Sequence, residues 1–166
     1  MSLNDPTPAP WWRDAVVYQV YVRSFADSDG DGLGDLPGIT SRLPYLRSLG
    51  VDAVWVTPFY PSPQHDAGYD VSDYVDVDPR FGRLGDADEL LEKAHALGLK
   101  VVVDLVPNHT SDEHEWFQEA LAAEVGSPER ERYMFRPGKG RGRQQPPNNW
   151  NSVFGGIAWE RLDDGD

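Results

Sequence analysis

The stretch from Val101 to Ser111, V-V-V-D-L-V-P-N-H-T-S, decides the fold. Its short apolar run of β-branched residues predicts a strand covered on both faces, as the strands of a parallel sheet are. Pro107 closes the run, and His109 lies two residues further on. In folds that alternate strands with helices, the chemistry lies at this end of the strands, so His109 is a candidate functional residue.

Asp104 interrupts this apolar run. A carboxylate in a buried strand is unfavourable unless a partner compensates for its lost hydration, so the pattern predicts a partnered Asp104. Two interpretations stay open from the residues alone. Asp104 and His109 belong to a functional site, or Asp104 makes a structural ion pair and His109 is an ordinary loop residue.

Two further strands precede this one, which gives the order β-α-β-α-β. We predict strands over residues 16–22 and 51–56, where β-branched and aromatic residues dominate. Apolar residues at helical spacing predict one helix from Ile39 to Leu49 and another that Asp86 caps and Gly98 ends. This alternation predicts a parallel sheet with right-handed crossover connections.

The composition excludes several classes of function. The 15 basic and 28 acidic residues give a net charge of -13, which argues against a nucleic-acid partner. No cysteine is present, so disulfide and thiol chemistry are excluded. We see no signal peptide and no apolar run near the roughly 18 residues that a membrane span needs. We therefore expect a soluble, cytoplasmic protein with no membrane partner.

The acidic loop D-S-D-G-D-G-L-G-D, residues 27–35, predicts a calcium site. Its alternating carboxylates can surround one hard cation with oxygen atoms, and the many flexible oxygens favour Ca²⁺ over Mg²⁺. An EF-hand is excluded because Gly38 stands where that motif requires glutamate. The alternative is a solvated acidic turn, although like charges this close repel one another. The predicted ligands are the carboxylates of Asp27, Asp29, Asp31 and Asp35 and the backbone carbonyl of Leu33.

A long loop, residues 59–85, follows the second strand and carries several acidic and aromatic residues. Loops of this length in a compact fold are usually functional. Carboxylates beside aromatic rings are typical of sugar recognition, and the loop offers Asp66, Tyr69, Asp70 and Tyr74. The pattern is weak by itself, because Tyr69 fits equally well as an apolar anchor for the loop.

Five blocks of the chain, in order, resemble the N-terminal part of the α-amylase superfamily, in particular its oligo-1,6-glucosidase and α-glucosidase branch. Five separate blocks in family order make chance agreement implausible. The blocks are V-V-Y-Q-V-Y-V-R-S-F-A-D-S-D-G-D-G-L-G-D from residue 16, V-D-A-V-W-V-T-P-F-Y from 51, G-Y-D-V-S-D-Y from 68, D-L-V-P-N-H-T-S from 104 and N-N-W-N-S-V-F-G-G-I-A-W from 148.

The resemblance implies an α/β fold that is a partial (β/α)₈ TIM barrel, consisting of its first three strands. Residues 1–109 would form this part of the barrel. Residues 110–166 would begin a domain inserted after the third strand. The acidic loop of residues 27–35 matches the structural calcium site of this branch.

The resemblance also implies roles for individual residues. Asp66 and Tyr69 would hold the non-reducing glucose in the subsite before the scissile bond, and His109 would bind a hydroxyl of the same glucose. Asp104 would be a buried structural carboxylate that pairs with an arginine near the nucleophile. Phe154 resembles an aromatic residue that lines the sugar pocket.

The family reaction is retaining glycoside hydrolysis, which uses one carboxylate as nucleophile and another as general acid and base. The family places both on later strands, so no catalytic residue is assigned here. We expect a fragment, inactive alone, of an α-glucosidase that releases terminal α-linked glucose from oligosaccharides. The alternatives are trehalose synthase or another transglucosylase of the superfamily, or a non-catalytic amylase-like protein that binds calcium or sugar.

Overall fold

A computed structural model describes residues 9–162, which form two compact units divided between His114 and Glu115. The first unit alternates strands with helices, and a 3₁₀ turn, Trp11–Arg13, precedes them. Its elements are β1 (Val17–Val20), α1 (Val22–Phe25), α2 (Leu36–Ser48), β2 (Ala53–Val56), α3 (Leu84–Ala96) and β3 (Lys100–Val103).

The three strands form one parallel sheet in the order β1-β2-β3. Val54 at the centre of β2 pairs with Tyr18 on one side and with Val101 on the other. Helix α2 connects β1 to β2, and α3 connects β2 to β3. The predicted β-α-β-α-β order and the parallel sheet are therefore confirmed.

Only the middle strand is buried, so the prediction that the third strand is covered on both faces is wrong. Val54 and Val56 of β2 are fully buried, whereas Val102 and Val103 of β3 are 39% and 44% exposed. Within residues 9–162, β3 has β2 on one side and no strand on the other. Strand β3 also ends at Val103, so Asp104 lies just beyond the strand and not inside it.

The predicted first strand, residues 16–22, is too long at its carboxyl end. Val22 begins helix α1, where its side chain is buried and its N–H donates to Thr57 Oγ1 at 3.2 Å. This hydrogen bond draws the chain toward the end of β2 and away from the strand direction. A β-branched run alone does not reveal such a turn.

The assignment of Asp86 as the cap before α3 is also wrong. Helix α3 begins at Leu84 and its N-cap is Arg83, so Asp86 lies inside the first turn. The Asp86 carboxylate still stabilises this helix end, because its Oδ2 accepts from the Arg83 N–H at 2.9 Å. Helix α2 begins as a cap is expected to, with Asp35 Oδ1 accepting from the Gly38 N–H at 2.6 Å.

The core lies where α2 and α3 cover the sheet. Burial of these apolar side chains supplies the main free energy that fixes the strand ends. The fully buried members of the core include Val20, Ile39, Leu43, Leu46, Val54, Val56 and Ala94.

Neither α2 nor α3 exceeds 13 residues, and no helix within residues 9–162 is long and apolar enough to cross a bilayer.

An ion pair braces the long loop between β2 and α3. Asp78 is almost fully buried and pairs with Arg80, whose guanidinium also donates to the backbone carbonyl of Ser62. Burial raises the pKa of Asp78, but the hydrogen bonds and charge of Arg80 lower it by a larger amount. The pKa of Asp78 therefore lies below the ordinary 3.8. The pair therefore stabilises the ionised carboxylate and ties the two halves of the loop together.

The second unit contains α4 (Glu115–Ala122) and two 3₁₀ turns, Arg130–Arg132 and Arg141–Arg143. Arg130 is buried, donates to the carbonyls of Ala120 and Leu121, and stacks its guanidinium over Phe135. These contacts satisfy the open carbonyl end of a short helix.

The substitution Asp78→Asn should destabilise the protein by about 1 kcal/mol at pH 7, because it removes a charged hydrogen bond to a partly exposed arginine. The folded pKa of Asp78 is lowered, so its stabilisation is complete above the unfolded pKa and disappears as the pH falls through the folded pKa. Urea unfolding at pH 7 and near pH 2.5 measures both effects. Asp88→Asn, on the exposed face of α3, is the control. An equal loss for Asp78→Asn at both pH values would contradict this assignment.

Candidate functional site

Asp104 stands at the carboxyl end of β3, and two side chains bind its carboxylate. Oδ1 accepts from Trp55 Nε1 at 2.7 Å, and Oδ2 accepts from the Tyr69 hydroxyl at 2.8 Å. The predicted partnering of Asp104 is confirmed, and both partners are uncharged. No basic side chain among residues 9–162 pairs with Asp104, so the arginine implied by the resemblance stays a prediction.

Trp55 is a site residue that the sequence analysis missed. It lies on β2 and pairs in register with Val102 of β3, which brings its indole within reach of Asp104. A signal was present, since a tryptophan N–H and a carboxylate near the ends of adjacent strands both need partners when partly buried. Combining that need with the strand register would have identified the pair.

The Tyr69 hydroxyl is held by this carboxylate. Burial, the hydrogen bond to Asp104 and the negative charges of Asp104 and Asp66 raise the pKa of Tyr69 to about 12. Tyr69 therefore keeps its proton under all physiological conditions. Its hydroxyl donates to Asp104, which fixes the orientation of its ring.

Asp66 and Tyr69 form the two ends of one tight turn. The Tyr69 N–H donates to the Asp66 carbonyl at 3.0 Å, and Ala67 and Gly68 between them have φ angles of 54° and 102°. A side chain at Gly68 would lie 3.3 Å from the Pro58 carbonyl in addition to straining the backbone. Across residues 9–162 no group donates to the Asp66 carboxylate, so its oxygens remain available to an added hydroxyl.

Asp70 fixes this turn from the other side. Its Oδ1 accepts from Ser62 Oγ and its Oδ2 accepts from the His65 N–H, each at 2.7 Å. Burial raises the pKa of Asp70, but these hydrogen bonds together lower it by a larger amount, so its pKa lies below the ordinary value. A carboxylate thus closes the loop around Asp66 without any regular secondary structure.

His109 completes the group. Its Nε2 lies 3.0 Å from the backbone carbonyl of Tyr69, and its Nδ1 lies 3.4 Å from Asn108 Nδ2. A carbonyl only accepts, so Nε2 carries the proton and Nδ1 accepts from the amide. The structure therefore brings Asp66, Tyr69 and His109 together beyond the carboxyl ends of β2 and β3.

Phe154 belongs to the second unit, where its side chain is exposed. It follows Ser152, whose Oγ accepts from the Phe154 N–H at 3.2 Å. Its place in the lining of a sugar pocket stays a prediction.

The acidic loop folds back on itself around three carboxylates. Oxygen atoms of Asp27, Asp29 and Asp35 all lie within 4.8 Å of one another, a spacing that fits one cation. Asp27 Oδ1 accepts from the Gly30 N–H at 2.6 Å, and this bond is the largest of those that lower the Asp27 pKa. The pKa of Asp27 therefore lies below its ordinary value, and the three carboxylates converge on one point of the loop.

Asp31 is not part of this three-carboxylate group. Its Oδ1 accepts from the Leu33 N–H at 2.7 Å, which closes the next turn of the loop. Asp31 and the Leu33 carbonyl stay predicted ligands.

Comparison with known proteins identifies the fold. Residues 19–165 match the family model of the α-amylase catalytic domain. The chain belongs to the α-amylase family. Its three parallel strands are accordingly the beginning of a (β/α)₈ barrel, and the carboxyl ends of those strands, where Asp66, Tyr69 and His109 meet, form the catalytic face in such barrels.

Relatives of this α-amylase family chain are glucosidases. A probable α-glucosidase of Rhizobium meliloti (strain 1021) is 51% identical over 96% of the chain and 30% of its own length. An oligo-1,6-glucosidase of Parageobacillus thermoglucosidasius is 55% identical over 90% of the chain and 26% of its own length. The chain thus spans less than a third of the length of these relatives.

Solved structures similar to this family member include a trehalulose synthase and an α-glucosyl transfer enzyme. The trehalulose synthase MutB is 48% identical with a TM-score of 0.88, over 93% of this chain and 27% of its own. The α-glucosyl transfer enzyme XgtA is 56% identical with a TM-score of 0.85, over 91% of this chain and 28% of its own. Both support the partial barrel.

The raised pKa of Tyr69 is directly measurable. The folded pKa of about 12 exceeds the ordinary 10.0, so this phenol stabilises the fold below pH 10 and loses that effect as the pH rises toward 12. Absorbance at the phenolate wavelength should show late titration from Tyr69 and from Tyr60, whose pKa is also raised by burial and by Asp104, and the Tyr69 contribution should disappear in Tyr69→Phe. Asp104→Asn should lower the pKa of Tyr69, because the negative charge beside the hydroxyl is removed. An unchanged titration in Tyr69→Phe would contradict the assignment.

Proposed function

We propose that this chain supplies the glucose-holding half of the active site of a retaining α-glucosidase that releases terminal α-linked glucose from oligosaccharides. The observation that carries the proposal is the convergence of Asp66, Tyr69 and His109 at the carboxyl end of the sheet. Identity of about half or more to α-glucosidases and oligo-1,6-glucosidases supports it.

The three residues offer complementary chemistry to a sugar. The Asp66 carboxylate accepts from hydroxyl groups, His109 binds a further hydroxyl, and the Tyr69 ring offers an apolar face to the C–H face of the pyranose. Tyr69 is held by Asp104, so its ring is oriented before the substrate arrives. Such preorganisation reduces the entropy that is lost on binding.

Retaining hydrolysis requires a nucleophilic carboxylate and a second carboxyl group about 5 to 5.5 Å away that acts as acid and base. No acidic residue of this chain matches either role by motif. The reacting carboxylates therefore come from the later strands of the barrel, and the polypeptide of residues 1–166 provides binding groups without the bond-breaking ones.

Glucosyl transfer is the second candidate, because two solved relatives are a trehalulose synthase and an α-glucosyl transfer enzyme. In that reaction the covalent glucosyl intermediate passes to a sugar hydroxyl instead of water. The donor glucose occupies the same subsite in both reactions, so Asp66, Tyr69 and His109 serve either outcome.

The test uses the protein that carries this chain with maltose, isomaltose and sucrose as substrates. Release of glucose supports hydrolysis, and formation of isomeric or longer saccharides supports transfer. Asp66→Asn should lower kcat/KM about ten- to a hundredfold, since a charged hydrogen bond to the sugar is lost. Asp88→Asn, which makes the same change of charge on exposed α3, should leave kcat/KM unchanged.

Residues 1–166 alone should release no glucose from these sugars, and measurable release would overturn that part of the proposal. Full activity of Asp66→Asn would refute its place in the glucose subsite. Sugar binding without any turnover by the protein that carries this chain would instead indicate a non-catalytic amylase-like protein.

We also propose that the acidic loop binds a structural Ca²⁺. Convergence of three carboxylates supports it, because a cation relieves the repulsion between like charges this close. Asp35 joins this group and also caps α2, so the cation would stabilise the start of a core helix. The remaining ligands would come from Asp31 and the Leu33 carbonyl.

Calcium at about 100 times its Kd should raise Tm by roughly 5 to 10 °C, because binding only to the folded state adds about 2.7 kcal/mol of stability. A thermal scan with Ca²⁺ or with a chelator measures this. Asp29→Asn should abolish most of the shift, because it removes one of the three charges while the amide oxygen can still accept from the Asp31 N–H. Asp88→Asn is the charge-matched control. Identical melting curves with calcium and chelator would exclude the site.

A further inference from the structure

The segment that carries His109 has no backbone scaffold of its own. Outside the helices and strands, none of the backbone–backbone hydrogen bonds among residues 9–162 involves residues 104–109. This segment follows β3 directly and ends where the Ser111 N–H donates to the Val71 carbonyl at 2.8 Å. A segment without backbone pairing is free to move unless side chains hold it.

Two tyrosine hydroxyls hold the segment through its carbonyl oxygens. The Tyr74 hydroxyl lies 2.7 Å from the Val106 carbonyl and 2.8 Å from that of His109. The Tyr60 hydroxyl donates to the carbonyl of Asp104 at 3.1 Å. The single O–H of Tyr74 is shared between these two carbonyls and holds the turn that leads to His109, while Tyr60 fixes the point where the segment leaves the strand.

The Tyr74 ring is itself fixed. It packs against Tyr60 with ring centroids 6.1 Å apart and against buried His114 at 5.6 Å. Tyr60 in turn stacks on Phe59 at 5.3 Å. These ring contacts hold Tyr60 and Tyr74 in place beside the end of β2, so the positions of both hydroxyl groups are fixed.

We propose that Tyr74 is a positioning residue for His109 in the glucose subsite, acting through the backbone carbonyls of Val106 and His109. This inference rests on the proposed function, because it assigns a role within that site. The hydroxyl holds the backbone of the segment in the position from which His109 Nε2 reaches the Tyr69 carbonyl. Without the Tyr74 hydroxyl, the imidazole leaves both Tyr69 and the sugar hydroxyl.

The kinetic test is Tyr74→Phe in the protein that carries this chain, because phenylalanine keeps the ring packing and removes only the hydroxyl. KM for an α-glucoside should rise about five- to tenfold, the effect of one lost hydrogen bond, with a smaller change in kcat. A merely structural role would lower Tm without raising KM. Tyr45→Phe, with its side chain exposed on α2, is the matched control and should alter neither.

A second measurement does not depend on turnover. Histidine-labelled protein observed by NMR should show the His109 ring as the Nε2-protonated tautomer, assigned with His109→Gln. In Tyr74→Phe the His109 signals should shift or broaden, while those of His95 on helix α3 stay in place. Tyr60→Phe should perturb His109 less, because it releases only the Asp104 carbonyl.

The outcomes separate the two proposals. Unchanged His109 signals and unchanged KM in Tyr74→Phe overturn the positioning role even if the protein is an active glucosidase. Altered His109 signals in a protein that neither hydrolyses nor transfers glucose support the positioning role and refute the proposed function. Altered signals together with a raised KM support both.

Discussion

The carboxylate of Asp104 is the interaction on which the rest of the site depends. It lies at the end of β3, half-buried, and both of its oxygens are bound by partners from elsewhere in the chain. Trp55 ties it to β2, and Tyr69 ties it to the long loop. One partly desolvated charge therefore gathers two strands and a loop into a single arrangement, because leaving it unpaired is unfavourable.

The long loop between β2 and α3 achieves order without regular secondary structure. Side chains satisfy several of its polar groups: Asp70 binds Ser62 and the His65 N–H, and Asp78 pairs with Arg80. These interactions lie inside one stretch of sequence, so the loop has its own support as well as the support of the sheet. A turn with left-handed backbone can then present Asp66 in a fixed place.

In the acidic loop, too, one carboxylate makes several interactions at once. Asp35 caps α2 with one oxygen and accepts from Ser28 with the other, and it also converges with Asp27 and Asp29. A residue that serves both a helix and a charge cluster links local loop geometry to the core. Carboxylates thus organise the ends of β3, the long loop and the start of α2.

The sequence by itself determined the order of strands and helices and the family, because hydrophobic periodicity and motif residues are local properties. The resemblance of its motifs also predicted a shared site for Asp66, Tyr69 and His109. It misjudged the burial of β3 and the start of α3, since both depend on what packs beside them. Only the tertiary structure decided that Trp55 and Tyr69 share Asp104 and that Tyr74 holds the segment of His109. Those pairings join residues 32 to 49 positions apart, and only the folded backbone sets the distances between them.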